Sequence, residues 1–352
     1  MPLNREFWRG KRVLITGHTG FKGAWLTRWL AGLGSDVIGL SLPPTTDPNL
    51  HAMLATPLAG EYILDLSDVD ATRDAVDGAC PDIVLHLAAQ SLVPESYSDP
   101  VGTFRTNVMG TIHLLDAVRS SAARAAIKAI VVVTTDKVYA NDETGRAFNE
   151  GDRLGGDDPY SASKAAVEIA VHAWQRSFTT TMPPLGTVRA GNVIGGGDWA
   201  PHRLLPDIVR AARSGKQLNI RRPDATRPWQ HVLDPLHGYL LYAQALALGN
   251  TPPPSLNFAP ADTKSLTVRE IADSLTQAFG IPGWQHVPVP ETKEKNALAL
   301  DASLALESLG WKPRFGNAAA IATTVEWYSA WAQGDDVRIL TDRQIASFEE
   351  TI

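Results

Sequence analysis

The chain has 352 residues, with 32 Lys and Arg against 38 Asp and Glu and a formal net charge of −6. That length suffices for one large domain or two sharing an interface, and the acidic balance gives no global pull toward nucleic acid. A single cysteine, Cys80, excludes an internal disulfide and a Cys-based zinc cluster, so no metal is expected.

The amino-terminal Met1-Pro2-Leu3-Asn4-Arg5 lacks the apolar stretch of a signal peptide. No run of ~18 apolar residues marks a transmembrane helix. A cytoplasmic enzyme that does not engage a membrane is the expectation.

The first half alternates short apolar runs with helix-period segments. Strands are predicted at 12–16, 36–40, 62–64, 83–87, 130–134 and 187–189. Helices are predicted from Phe21 to Leu33, from Asn107 to Ser120 and from Pro159 to about Phe178. Continuous apolar runs between helices signal a parallel sheet buried on both faces. The fold class is therefore α/β, a Rossmann-like doubly wound parallel sheet. After Gly191 the alternation breaks, with Gly195-Gly196-Gly197, several prolines, a short strand at 217–220 and a helix from Leu266 to Phe279. This part reads as a smaller C-terminal α/β substrate-binding domain. The expected division is 1–190, with 229–258 returning to it, against 191–228 and 259–352.

The segment Gly17-His18-Thr19-Gly20-Phe21-Lys22-Gly23 follows the first strand and opens the first helix. Glycines there let backbone approach a pyrophosphate, and the helix N-terminus supplies unpaired N–H groups. This context makes the turn a dinucleotide site. An acid often ends the second strand and binds the adenosine ribose, yet here that strand ends Gly39-Leu40-Ser41-Leu42. NAD and NADP stay open on this ground. His18 and Lys22 are candidates to contact ribose or phosphate instead. Asp65 either meets the adenine amino group or caps a helix.

Tyr160 and Lys164 stand four residues apart, which on a helix is one face. A free tyrosine titrates near ~10 and is a poor base at neutral pH. A nearby ammonium and an oxidised nicotinamide both favour phenolate. Tyr160 then takes a hydroxyl proton as hydride leaves the same carbon.

These residues resemble the extended short-chain dehydrogenase/reductase superfamily. Thr135-Asp136-Lys137 after the fifth strand is similar to the Thr-Asp-Glu or Thr-Asp-Lys of sugar-nucleotide 4,6-dehydratases, and the Lys form resembles the CDP-D-glucose branch. Further segments agree: His86-Leu87-Ala88-Ala89-Gln90, Asn107-Val108-Met109-Gly110-Thr111, Asp152-Arg153-Leu154-Gly155-Gly156-Asp157-Asp158-Pro159-Tyr160, Gly191-Asn192-Val193-Ile194-Gly195-Gly196-Gly197-Asp198-Trp199 and Ala225-Thr226-Arg227-Pro228-Trp229-Gln230-His231-Val232-Leu233-Asp234. One stretch departs. Pro94 and Glu95 stand where the branch carries a basic pair.

The resemblance implies NAD as tightly bound cofactor, regenerated each turnover, and a nucleotide-sugar substrate. It implies an internal redox dehydration of CDP-D-glucose to the 4-keto-6-deoxy sugar, in deoxysugar and cell-surface polysaccharide (O-antigen) biosynthesis. Tyr160 would remove the C4 hydroxyl proton, Thr135 would bind the C4 oxygen, and Asp136 would protonate the departing C6 hydroxyl. Lys137 is either a neutral base at C5 or a charged stabiliser of the enolate. Cofactor contacts are expected from Gly17 to Gly23 (His18, Thr19, Gly20, Phe21 and Lys22 included), Asp65, Leu66, Leu87, Ala88, Ala89, Gln90, Asn107, Tyr160 and Lys164. Substrate contacts are expected from Thr135, Asn192 and Arg227, with Arg203 and Lys216 the weaker candidates. For Trp199 and His231 packing roles are expected. A homodimer or homotetramer built on Asn107–Ser120 and Pro159–Phe178 is the family expectation. Other readings are another nucleotide-sugar 4,6-dehydratase, a 4-epimerase, or a non-catalytic NAD(H)-sensing protein.

Overall fold

The computed structural model describes residues 2–227, 229–260, 266–287 and 298–352, with the side chain of Arg227 outside that description. Seven strands form one parallel sheet: β1 (Arg12–Thr16), β2 (Asp36–Ser41), β3 (Gly60–Ile63), β4 (Ile83–His86), β5 (Ala129–Val133), β6 (Leu185–Ala190) and β7 (Ser255–Phe258). Their spatial order is β7-β6-β5-β4-β1-β2-β3. The strand order reverses between β1 and β4, and ligands of such sheets sit there, beyond the carboxyl ends.

Alternation along each strand makes the two cores. Val13 and Ile15 of β1, with Val131 and Val133 of β5, face one layer, where Trp25 and Trp29 of α1 (Phe21–Gly32) pack. Leu14, Val84, Ile130 and Val132 face the other. That second layer is built from α2 (Val69–Ala79), α3 (Gly110–Ser120) and α4 (Pro159–Ser177), through residues such as Val76, Leu114, Val118 and Val167. Burial on both faces is why these strands read as unbroken apolar runs.

The six predicted strands of the first half are present within a residue or two. The seventh, β7, pairs with β6, Leu256 beside Val188. Three local differences have physical causes. The helix expected from Asn107 is preceded by a helical turn at Pro100–Phe104 and a widened π turn at Arg105–Met109. At that turn the Asn107 amide bonds to the backbone of Gln90. The helix expected from Leu266 starts at Val268, because Thr267 and Glu270 form a capping box and Leu266–Thr267 pairs as a short strand. The helix α2 is capped by Asp68, whose carboxylate accepts from the amide of Ala71 at 3.0 Å.

The chain beyond Gly191 covers the carboxyl edge with α5 (Leu204–Ser214) and short two-stranded ladders. The helix α6 (Leu233–Ala247) lies in the core of the sheet domain, with Leu236, Tyr239 and Leu240 buried. The last helix, Val337–Glu349, returns to α1: Glu349 accepts from the Trp29 indole at 2.8 Å. Among the described residues no helix is long and apolar enough to cross a membrane.

Candidate active site

A cavity of about 910 Å³ runs from the glycine turn to the loops after β5 and β6. Its floor starts where β1 ends. The amide of Gly17 bonds Leu40 O at 2.8 Å, and Gly17 turns with φ +76°. A Cβ on Gly17 would stand 2.7 Å from Ala88 N, and one on Gly23 would stand 2.1 Å from Gly17 O. Gly20 is the N-cap of α1 and offers no side-chain cap. The first-turn N–H groups of α1 are thus left to an outside acceptor. Glycines that no Cβ can replace, beside uncapped amides, fit a pyrophosphate. Thr19 closes the turn through Ser41 Oγ (2.8 Å) and Leu42 O (3.0 Å).

His18 takes a different place from the one expected. Its side chain is fully buried under the turn and bonds Glu61 of β3 at 2.8 Å, with His51 also 3.4 Å from that carboxylate. It does not line the cavity. Gly39, paired with Glu61 across β2 and β3, makes the room. A Cβ there would stand 2.6 Å from the imidazole. The acid missing from β2 thus has a neighbour on β3, but that acid serves the histidine. We expect Gly39→Ala to destabilise by ~1–3 kcal/mol through overpacking. A thermal melt checks this, and an unshifted midpoint would show that His18 swings aside freely.

Asp65 and Leu66 line the cavity. Of the two roles open to Asp65, the helix cap belongs to Asp68. Asp65 Oδ1 accepts the nearby Ser67 amide at 2.8 Å.

Leu87, Ala88, Ala89 and Gln90 form the opposite lip. Asn107 stands behind them. Its Oδ1 accepts from Gln90 N (2.8 Å), and its Nδ2 donates to Gln90 O (3.0 Å) and Ser163 Oγ (2.9 Å). It is buried and holds the lip against α4 rather than facing the cavity. His86 sits between Thr16 (2.6 Å) and Thr111 (2.8 Å), and burial lowers its pKa to about 3, so it is a neutral bridge.

The reacting end gathers Tyr160, Lys164, Thr135, Asp136 and Lys137 on one wall. Pro159 at N1 and the cap Asp158, which accepts from Ser161 N at 2.9 Å, start α4 so that Tyr160 emerges at the sheet's edge. Thr135 caps the single turn Asp136–Val138 and donates to Asp136 Oδ1 at 2.9 Å. The Tyr160 hydroxyl shares a hydrogen bond with the Thr135 side chain. Burial pushes the phenol up to about 12, opposed by the Thr135 bond and by Arg203. The nearest expected cation is elsewhere. Lys164 donates to Val133 O at 3.0 Å, and burial lowers its ammonium to about 8 while Glu168 raises it.

A buried ion pair under this wall escaped sequence reasoning. Glu168 and Arg189 are both almost fully buried, and the guanidinium forks onto the carboxylate at 2.9 and 2.7 Å. Thr187 donates to the same carboxylate at 2.7 Å, and Thr134 also bonds it. Arg189 continues to Tyr139 Oη at 2.7 Å, which donates to Asn257 Oδ1 at 2.7 Å. The only sequence signal was a Glu one helical turn after Lys164 and an Arg inside an apolar strand. Their pairing across 21 positions depends on α4 lying over β6.

The far wall comes from residues beyond 190. Asn192 and Arg203 line the cavity. Arg203 spans it, with Asp198 at 3.0 Å and Ser91 Oγ at 2.9 Å. Pro94 and Glu95 also line it, opposite Arg203's loop. The backbone of Arg227 belongs to the short strand Thr226–Arg227, and its side chain lies outside the described residues. Lys216 is exposed and outside the cavity lining. Asp198 orders its turn by accepting from Ala200 N at 3.1 Å. Trp199 packs on Tyr328 and Trp331, and His231 is buried against Trp25 and Phe315.

Residues 13–255 match the NAD dependent epimerase/dehydratase family. The chain is 41% identical to the CDP-glucose 4,6-dehydratase of Salmonella typhimurium over 98% of each chain. It is 29% identical to a dTDP-glucose 4,6-dehydratase of Shigella flexneri over 91% of this chain and 93% of the other. Among solved structures it is similar to the dTDP-glucose 4,6-dehydratase DesIV of Streptomyces venezuelae, determined with NAD and TYD bound. There the TM-score is 0.79 at 25% identity, covering 92% of this chain and 98% of that one.

Proposed function

The chain belongs to the NAD dependent epimerase/dehydratase family, and from that premise we propose that it is an NAD-dependent hydro-lyase converting CDP-D-glucose to CDP-4-keto-6-deoxy-D-glucose. The observation that carries this reading is the meeting of Tyr160, Thr135, Asp136 and Lys137 at the end of a cavity that starts on the glycine turn. Bound NAD supplies a hydride acceptor for C4 and a donor for C6. The turn from Gly17 to Gly23 holds its pyrophosphate, and Asp65 and Leu66 border its adenosine end.

The remaining work falls to side chains. Tyr160 takes the C4 hydroxyl proton, with Thr135 holding the C4 oxygen. The C4 ketone acidifies C5–H. Asp136, buried at 2% exposure, hands a proton to the departing C6 hydroxyl. Lys137 faces C5 as base or as the cation beside the enolate. The chain after Gly191 is read as closing over the sugar nucleotide, with Asn192 and Arg203 of the cavity lining toward its diphosphate and Arg227 kept as the candidate its sequence segment suggests. The product is the kind of keto-deoxy sugar nucleotide that deoxysugar assembly for surface polysaccharides consumes, and the reading is of a cytoplasmic enzyme.

The test is a panel of CDP-, dTDP- and UDP-glucose with purified protein. Formation of the alkali-absorbing 4-keto product from CDP-glucose is expected. Turnover of dTDP- or UDP-glucose alone would overturn the nucleotide assignment, and an epimer without the ketone would overturn dehydration.

The phenol's environment sets a pH dependence. Tyr160 must lose its proton, so kcat/KM falls as pH drops below its apparent pKa. Arg203 lowers that pKa. Arg203→Met therefore moves the acid limb to higher pH, lowering the rate at pH 7 by about threefold or more. A limb that stays in place would sever Arg203 from the phenol.

Assembly as a homodimer is part of the same reading. Val101, Phe104, Met109 and Ile169 are exposed on the helices around α3 and α4, an apolar face suited to a second copy. Size-exclusion with light scattering is expected to give a dimer or larger, and Ile169→Arg with Met109→Glu to give a monomer.

A further inference from the structure

A second cluster of donor atoms lies outside the cavity, under the glycine turn. His18, His51 and Glu61 do not line the cavity. One donor atom from each lies within 4.8 Å of the other two, which makes them the one such group of three among the described residues. His18 comes from the turn after β1, His51 from the short helix Leu50–Leu54, and Glu61 from β3. Gly39 and Glu61 are neighbours in the parallel ladder, so their side-chain positions share one face of the sheet. The bare Gly39 admits the imidazole of His18, and the carboxylate of Glu61 meets that imidazole's edge. His51 reaches the same oxygen from a third segment.

Both imidazoles aim a ring nitrogen at one point. His18 Nε2 lies 2.8 Å from Glu61 Oε1 and His51 Nε2 lies 3.4 Å from it, and the two rings stand edge to face at 5.1 Å. A metal bound at ~2.1 Å in tetrahedral geometry keeps its ligand atoms roughly 3.4 Å apart. One measured edge has that length and the other is shorter. The Glu61 side chain is 39% exposed and can withdraw the short distance needed, while His18 is fixed over Gly39. Hydrogen bonding alone gives a weak account of the cluster. His18 is fully buried, and its Nδ1 meets no hydrogen-bond partner among the described residues. One bond to a partly exposed carboxylate recovers little of the cost of burying that ring. The charged groups that act on His51 are His18 and Glu61, with no lysine or arginine among them to supply a cation.

We propose that His18, His51 and Glu61 bind one divalent transition-metal ion of the zinc class, which clips the glycine turn, the helix Leu50–Leu54 and β3 together. Two imidazoles and a carboxylate are a donor set that suits zinc, with water in the fourth position. His51 and Glu61 are both partly exposed and leave that position open to solvent. A chain with a single cysteine can build such a site from nitrogen and oxygen donors alone. Three protein ligands hold the ion less tightly than the closed set of four in a structural zinc finger, so binding is reversible. The ligands come from segments distant in sequence, and the ion's binding energy adds to the stability of their packing. The site takes no part in the transfers at Tyr160 and stands apart from the dehydratase reading, whose own test is nucleotide-sugar turnover.

The experiment uses the full chain, treated with a chelator and desalted. Zn2+ is titrated in by calorimetry at pH 7. Co2+ is followed by its visible absorption, which is weak for the hydrated ion and strong in a tetrahedral site of protein donors. One saturable Zn2+ per chain is expected, with a thermal midpoint raised by about 4 °C at a hundredfold excess over Kd. His51→Ala and Glu61→Gln are each expected to weaken Zn2+ binding by about a hundredfold, the upper end of what even an outer hydrogen-bond partner of a ligand is worth. Both should also lose the midpoint rise and the Co2+ absorption. His172→Ala, at an exposed histidine of α4, should bind as the parent does. Zn2+ held as tightly by His51→Ala as by the parent would assign it to scattered surface histidines and overturn the inference. A folded parent with no saturable Zn2+ binding would overturn it also. If His51→Ala does not fold, His51→Phe keeps the ring packing on His18 and repeats the test.

Discussion

Tyr160→Phe is expected to lower turnover of CDP-glucose by about a thousandfold, in the middle of the range that a positioned acid or base contributes. The ring of Phe fills the same buried site, so the packing of α4 against the cavity is retained. What is lost is the oxygen that shares a hydrogen bond with Thr135 and that the proposed mechanism uses to take the C4 proton. NAD binding and the melting temperature should therefore stay near those of the parent. The direct readout is reduced-cofactor absorbance in a single turnover, because the first hydride transfer needs the C4 hydroxyl deprotonated. A Phe variant that still accumulates the 4-keto sugar at a tenth of the parent rate would move the base elsewhere.

Glu168→Ala is expected to cost stability rather than chemistry alone. Its carboxylate is buried and holds Arg189, Thr187 and Thr134. Removing one partner of a buried pair leaves the other charge without compensation, at about 3–5 kcal/mol. For a chain of this size that corresponds to a fall in Tm of roughly 5–10 °C. The effect should be partly reversed in the double variant Glu168→Met with Arg189→Met, which leaves no orphaned charge although Tyr139 loses a partner. A single variant as stable as the parent would show that water reaches Arg189. Activity should fall as well, because Lys164 stands one helical turn before Glu168 and loses the anion that raises its pKa.

Local patterns carried much of the fold. The strands flanking the glycine turn read directly, because a strand buried on both faces must be apolar along its length. The glycine turn read from its spacing, and at Gly17 and Gly23 a Cβ would collide with backbone. The placing of Tyr160 and Lys164 on one helix read from their spacing. Legibility failed where a residue's partner is distant in sequence. His18 looked like a cofactor contact because it lies inside the turn, but Glu61 and Gly39 draw it underneath. Asn107 looked like another contact, and it holds the cavity lip at Gln90 from behind. The Glu168–Arg189 pair gave no pattern at all.

The sequence by itself determined the doubly wound class, the glycine turn at the start of the cavity and the placing of Thr135-Asp136-Lys137 after β5. Each depends on side chains within a few residues of one another, whose spacing directly states their geometry. Only the tertiary structure decided which charges meet. It turned Lys22 into the cavity, set Arg203 rather than Lys164 toward the phenol, and gave Asp68 the helix cap for which Asp65 was a candidate. Burial and Coulomb interactions act through space, and the order of residues along the chain does not encode the distances on which they depend.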